Sequence, residues 1–382
     1  MPADAIFLFG TLRYAPLLAA VSGANLRAEP AALEGYRIVH AVAPSGKQQA
    51  FPCLEPAAGS TAQGLIIRPQ AEARARLDAY ERVFGYDLHP VQVLVKGVRV
   101  EASVYGPRPG LWTAGAPWSL EDWSARDGAL TVATAAEVMA LLEAGTPDEA
   151  ILHRYAMLQG AVASRLRARA TPTPATLRHR AAPGDVEVLA YRRPYTWFFG
   201  IDEADLRFRR FRGDLSAPVN RAGFVSGDAV TVLPYDPVRD AVMLIEQFRF
   251  GPFCRGDTNP WSLEAVAGRI DAGESPEQAA RREAVEETGL RLGALHAVGR
   301  YYASPGAVTE YLYSYIGIAD LPQSAAGVSG VEAEAEDIRA HVVPFARVEE
   351  LMTSGEIENA PLLISLQWLM LHRAGLRPPG GT

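Results

Sequence analysis

Cysteine is scarce in this chain: its 382 residues include two, Cys53 and Cys254, far apart and outside any Cys/His cluster. That usage offers no thiolate metal site and fits a reducing cytoplasm. Positive charge is also in deficit, with 37 Lys and Arg against 44 Asp and Glu and a net charge of −7. No general attraction to DNA or RNA follows, and an anionic ligand would need local basic groups or a metal. No segment approaches the length of a membrane-spanning helix. Near the N-terminus, Asp4 stands where an export signal wants positive charge, and the apolar run after it is too short. Internal repeats, a Ser-His-Asp set, a phosphate-binding P-loop and zinc-ligand spacing are all missing. What is present, 48% hydrophobic and 21% charged residues, suits a folded protein, and the length suits two domains.

Residues 1–110 read as short strands separated by Gly and Pro turns, among them "AIFLFGTL", "YRIVHAVA", "AQGLIIRP", "VQVLVKGV" and "RVEASVYG". A barrel or strongly curved sheet is expected, with one helix near "AEARARLDAYERV". Residues 111–169 turn to Ala, Leu and Glu at helical spacing and read as a helical connector. Residues 170–184, "ATPTPATLRHRAAPG", lack periodicity and read as a linker. Residues 185–382 again read as strands, with "DPVRD" a hairpin turn and two helices, which predicts a mixed sheet with helices packed on it. The whole is of the α+β class.

The stretch "GRIDAGESPEQAARREAVEETGL", Gly268 to Leu290, carries the most chemistry. Ser275 is placed to cap a helix, with Pro276 at its first position, Gln278 completing a capping box and Gly289 stopping it. At about 100° per residue, Glu283, Glu286 and Glu287 fall on one face. Like charges at this spacing each cost a few tenths of a kcal/mol, so a counter-charge is expected. Arg282 can orient Glu286, which leaves Glu283 and Glu287 as hard oxygen ligands for Mg²⁺ or Mn²⁺. A solvated acidic helix face is the alternative.

The same stretch resembles the signature of the Nudix hydrolases at Gly268, Glu274, Arg282, Glu283, Glu286, Glu287, Gly289 and Leu290, and departs from it at Ala284, where a larger aliphatic is common. The resemblance implies a Nudix α/β/α sandwich. It also implies water attack on a phosphorus of a nucleoside diphosphate linked to another group, assisted by divalent metal. "LPYDPVRDAVMLIEQFRFG", "LEAVAGRIDAGES" and "EAEDIRAHVV", together with Pro305 in "SPG", point to the ADP-ribose pyrophosphatase branch.

For that branch the resemblance assigns Arg249 and Pro305 to substrate binding. The metal falls to Ala267 through its carbonyl and to Glu283, Glu287 and Glu336. Glu334 becomes the base, with Glu286 and Arg282 in the catalytic set and Glu264 a secondary metal or water group. It implies a homodimer formed through this domain, with Phe198 and Arg221 holding the adenine. The products would be AMP and ribose 5-phosphate. A nucleotide sugar or NADH as substrate, or ADP-ribose sensing without turnover, are the competing readings.

"FLFGTL" and "LDAYERVFGYD" resemble the γ-glutamylcyclotransferase fold, a β-barrel with helices. That likeness makes the backbone of Gly10, Thr11 and Leu12 a carboxylate cradle and Glu81 the proton-moving acid, or else the domain a γ-glutamyl-binding module; Phe9 stands where Tyr is usual. The order of the two domains resembles bacterial proteins associated with tellurite resistance.

Overall fold

The computed structural model describes residues 4–197, 199–329 and 337–377. The backbone divides into two units, Met1–Arg169 and Ala170–Thr382.

In the first unit the order is β1 (Ile6–Leu8), α1 (Ala15–Ser22), β2 (Ala28–Val42), β3 (Gln48–Ile67), α2 (Ala71–Val83), β4 (Tyr86–Val95), β5 (Val98–Pro107) and β6 (Thr113–Pro117). Strand β1 pairs antiparallel with β3 and parallel with β5, and β2 pairs with both β3 and β4. The order β3-β1-β5-β4-β2 therefore returns to β3 and closes a five-stranded barrel, with β6 added outside β2. Alternation along the first strand decides which side chain goes where. Phe7 and Phe9 fill the barrel with Leu33, Ile66 and Val104. Ile6 and Leu8 point the other way, onto the helices. A Cβ at Gly64 would meet the Phe7 ring at 2.5 Å and the Leu8 carbonyl at 2.4 Å, so the barrel closes around Phe7 only because that position is glycine.

Helices α3 (Leu120–Arg126), α4 (Gly128–Glu143) and α5 (Asp148–Ala170) form over the stretch read as a helical connector, 111–169. They belong to the first unit: Trp123, Val138, Ile151 and Leu158 are 2% exposed or less and pack with Ile6, Leu17 and Leu77. Each such burial stabilises by roughly 1.5–3 kcal/mol, which makes these helices core. Periodicity announced their apolar faces but not the surface those faces cover. Past α5 no helix or strand forms before Val186. The end of this stretch is tied down, because the Asp185 carboxylate accepts from the Ala182 N–H at 2.8 Å and lies 2.9 Å from His179 Nε2.

The second unit opens with an antiparallel sheet of β7 (Val186–Thr196), β8 (Gly200–Phe208) and β9 (Val219–Val225). Its mixed sheet contains β10 (Ala229–Asp236), β11 (Ala241–Phe248), β12 (Trp261–Glu264), β13 (Val266–Arg269), β14 (Leu295–Tyr302), β15 (Tyr311–Ile318), β16 (Gly327–Ser329) and β17 (Ile338–Pro344), with α6 (Phe250–Arg255) between β11 and β12. The main order is β14-β15-β10-β11-β17-β16, with β12 on β11 and β13 on β10. The β10–β15 pair is parallel. The "DPVRD" turn joins β10 to β11 as expected, with Asp236 accepting from the N–H groups of Val238 and Arg239.

All positions of β10 are buried, because both faces of the sheet are covered. Val230 and Val232 face α7 (Pro276–Thr288) through Ala279, Ala280 and Ala284. Leu233 and Tyr235 face α9 (Ala360–Leu376) through Leu362, Leu366 and Leu369, near the short α8 (Val348–Ser354). The result is a helix–sheet–helix sandwich with the signature helix on one side.

Candidate active site

Both ends of α7 are specified by its sequence. The Ser275 hydroxyl accepts from the Gln278 N–H at 3.2 Å, and the Gln278 side chain accepts from the Ser275 N–H at 2.8 Å. Gly289 closes the helix at φ 69°. Ala279, Ala280 and Ala284 are fully buried, so the helix lies close against β10 and β13. Ala284, where the signature departs from its usual residue, is one of these contacts.

Arg282 organises the acids. Its guanidinium donates to both oxygens of Glu274 at 3.0 and 2.9 Å, to Glu283 at 2.7 Å, to Glu286 at 2.9 Å and to the Arg269 carbonyl at 2.9 Å. Burial alone would lower its pKa; the bonds to Glu274, Glu283 and Glu286 outweigh that and raise it. Glu286 remains 42% exposed at its side chain, against 12% for Glu283.

The two less exposed acids converge on one dipeptide. Glu287 is 2% exposed, and its carboxylate accepts from the Ala267 N–H at 3.2 Å. Glu283 presses into the space beside Gly268, where a Cβ would stand 1.9 Å from its Oε1. Ser329 donates to the Glu287 backbone carbonyl. Among the described residues, no three His, Cys, Asp or Glu side chains gather closely enough to hold a metal ion. Glu283 and Glu287 nevertheless fit a hard divalent cation in kind, as carboxylates held side by side over the Ala267–Gly268 backbone.

Arg249 caps α6 at the end of β11 and grips the buried Glu264 with two bonds, 3.0 and 2.7 Å. In this structure Glu264 is thus a partner for Arg249. Arg221 is exposed on β9 and donates to its neighbour's carbonyl, Asn220 O, at 2.8 Å. Pro305 is exposed in a turn that ends at Ala307, whose carbonyl accepts from the Phe224 N–H on β9. Phe198, Glu334 and Glu336 lie outside the described residues.

In the first unit, Gly10 precedes a tight turn at Thr11–Arg13, and Leu12 shares an apolar cluster with Tyr80, Tyr86 and Tyr105. The Glu81 residue keeps some solvent contact, yet burial pushes its carboxyl up to about 8. Burial first, and then the charge of Glu81, raises the phenol of Tyr86. Tyr105 is bonded through its hydroxyl to Asp78 at 2.6 Å.

From the sequence, Glu274 is placed in the signature without a partner, and Glu310 is not singled out. Glu274 holds Arg282 from outside the helix, so no helical spacing announces the pair. Glu310, whose carboxyl burial raises against the nearby charges of Arg269 and Arg249, is a lone acid before a strand and carries no local signal.

Comparison with known proteins finds relatives for both units. The NUDIX domain family matches residues 225–365, and the gamma-glutamyl cyclotransferase, AIG2-like, family matches residues 6–125. An ADP-ribose pyrophosphatase of Escherichia coli strain K12 is 44% identical over 193 residues, 50% of this chain and 91% of the relative. One from Haemophilus influenzae is 36% identical over 195 residues, 50% of this chain and 89% of the relative. A GDP-mannose pyrophosphatase of Enterobacter sp. strain 638 is 37% identical over a shorter stretch of 145 residues, 38% of this chain and 74% of the relative.

Proposed function

The chain belongs to the Nudix hydrolases of the ADP-ribose pyrophosphatase branch, with an AIG2-like domain ahead of it, and from that premise we propose that it hydrolyses the diphosphate of ADP-ribose. Water adds to one phosphorus, the bridging P–O bond breaks, and AMP and ribose 5-phosphate leave, with the water proton passing to a base. The observation that carries this reading is the convergence of Glu283 and Glu287 on Ala267–Gly268, with Arg282 fixing the acids around it.

Glu283, Glu287 and Glu336, with the Ala267 carbonyl, would hold Mg²⁺ or Mn²⁺. Such an ion, when bound, would supply charge to offset the diphosphate, a lowered pKa for water and stabilisation of the leaving oxygen. Arg282 orients Glu283 and Glu286 and dilutes their mutual repulsion. Glu334 takes the water proton. Arg249, whose planar fork suits phosphate oxygens, exchanges Glu264 for the diphosphate when substrate arrives. Pro305 shapes the substrate loop, and Phe198 and Arg221 of a second copy hold the adenine in a homodimer. That arrangement is supported by the apolar surface of β7, where Val186, Val188, Tyr191 and Tyr195 are each more than half exposed. Among the described residues no helix is long and apolar enough to cross a membrane; the likeness to bacterial ADP-ribose pyrophosphatases and the scarcity of cysteine support a cytoplasmic location. The likeness to a GDP-mannose pyrophosphatase keeps nucleotide sugars as the second substrate class.

Glu287→Gln tests the assignment. It keeps the shape of a buried side chain and removes its charge, so turnover of ADP-ribose should fall on the order of 10²–10³-fold or more, with circular dichroism unchanged. Near-normal turnover at saturating Mg²⁺ would refute the metal role.

The first unit is proposed to bind γ-glutamyl compounds at the Gly10–Leu12 turn and to move protons through Glu81. A carboxyl with its pKa near 8 suits that task at neutral pH. The full chain is expected to release 5-oxoproline from γ-glutamyl amines and Glu81→Gln to lose this. Release that survives the substitution removes Glu81 from the reaction.

A further inference from the structure

Arg269 stands one residue past the glycine that admits Glu283, and it faces two ways. Its backbone carbonyl accepts from Arg282 at 2.9 Å. Its side chain lies over the Phe199 ring, with the guanidinium carbon 5.0 Å from the centroid. Phe199 in turn tilts against Phe224 at 4.6 Å between centroids. Phe224 is where β9 holds the loop after Pro305: its N–H donates to the Ala307 carbonyl at 2.7 Å, and its own carbonyl accepts from the Thr309 N–H at 3.0 Å. The next residue of that loop, Glu310, is close enough to Arg269 and Arg249 for both to offset the rise that burial imposes on its carboxyl.

The bond from Arg269 to the signature helix uses only a main-chain carbonyl, which any residue would supply. Nothing in the metal chemistry asks for a guanidinium here. Burial also penalises that charge, lowering the pKa of Arg269, so the packing of the side chain has to return what its desolvation costs. The return is mechanical: one stacked cation joins the signature to the three-stranded sheet and to the proline loop.

We infer that Arg269 is a positioning residue that sets β9 and the Pro305 loop against the metal-acid helix, and thereby sets the affinity for the nucleoside diphosphate substrate. This rests on the Nudix reading above. A cation over an aromatic face in a partly desolvated setting, once lost, costs about tenfold in binding.

The test is steady-state kinetics of Arg269→Met, which keeps an apolar stem and the carbonyl to Arg282, beside Arg269→Lys and Glu310→Gln. For Arg269→Met, KM for ADP-ribose should rise about tenfold while kcat stays within about twofold and the Mg²⁺ needed for half-maximal rate is unchanged. Arg269→Lys should recover part of the loss. Adding Glu310→Gln to Arg269→Met should cost less than the two separate effects summed, because the two charges interact. If Arg269→Met misfolds by circular dichroism, the Lys and Gln variants carry the same comparison. An unchanged KM overturns the inference, as does a fall in kcat with a raised Mg²⁺ demand, which would make Arg269 a prop for the signature helix. A wild-type chain that does not hydrolyse ADP-ribose would sink the functional reading first, so the two failures are told apart by the first assay.

Discussion

At Gly268 an added methyl would stand 1.9 Å from Glu283 Oε1 and 2.0 Å from its Cδ. No side chain tolerates that approach, and Glu283 is not free to yield, since Arg282 holds its carboxylate at 2.7 Å. Gly268→Ala must therefore push a proposed metal ligand out of place. A shift of about 1 Å at a reacting site can cost on the order of 10²-fold in rate. We expect that loss in ADP-ribose turnover, with the thermal midpoint changed far less than a core cavity would change it. Turnover close to wild type would mean that the Glu283 position is not critical. Charge is managed at the same scale. Glu283, Glu286 and Glu287 share one helix face because Arg282 contacts Glu283 and Glu286, and Glu274 from outside the helix, while Glu287 turns to a main-chain N–H instead.

Among the elements, α7 was the most legible in the sequence, and for a local reason. Its cap, its stop and its acids lie within one continuous segment, so spacing along the chain is spacing in space. The barrel was less so. Strands β2 and β3 run from Ala28 to Val42 and from Gln48 to Ile67, whereas the β-branched runs mark only parts of them. Pro52, Pro56 and Gly59 interrupt β3 in sequence without ending it, because pairing with β2 supplies what propensity does not. Glu264 and Arg249 meet only through the register of β11 with β12, a non-local fact that no window of sequence contains.

Strand β7 carries the prediction proper to this scale. Val186, Val188, Leu189, Tyr191 and Tyr195 leave apolar surface exposed along β7, which supports the proposed homodimer. Val188→Glu combined with Tyr191→Glu should convert the proposed dimer to a monomer in sedimentation velocity. A wild-type chain that sediments as a monomer would count against the homodimer.

Across the whole molecule, the backbone divides into two units, each with its own apolar core. The AIG2-like match ends at residue 125, yet the first unit runs on to Arg169. Helices α4 and α5 complete its core with Val138, Ile151 and Leu158. An excess of acid over base, −7 in all, would repel a diphosphate from the chain. The second unit answers with local arginines and with carboxylates suited to a divalent ion. The measurement that bears most directly on this account is product analysis with the full chain. ADP-ribose, GDP-mannose and other nucleotide sugars, NADH and dinucleoside polyphosphates are each supplied with saturating Mg²⁺. The account predicts the highest kcat/KM on ADP-ribose, AMP and ribose 5-phosphate as its products, and no turnover once a chelator removes the metal. A nucleotide sugar cleaved faster than ADP-ribose, or ADP-ribose recovered intact, would contradict it.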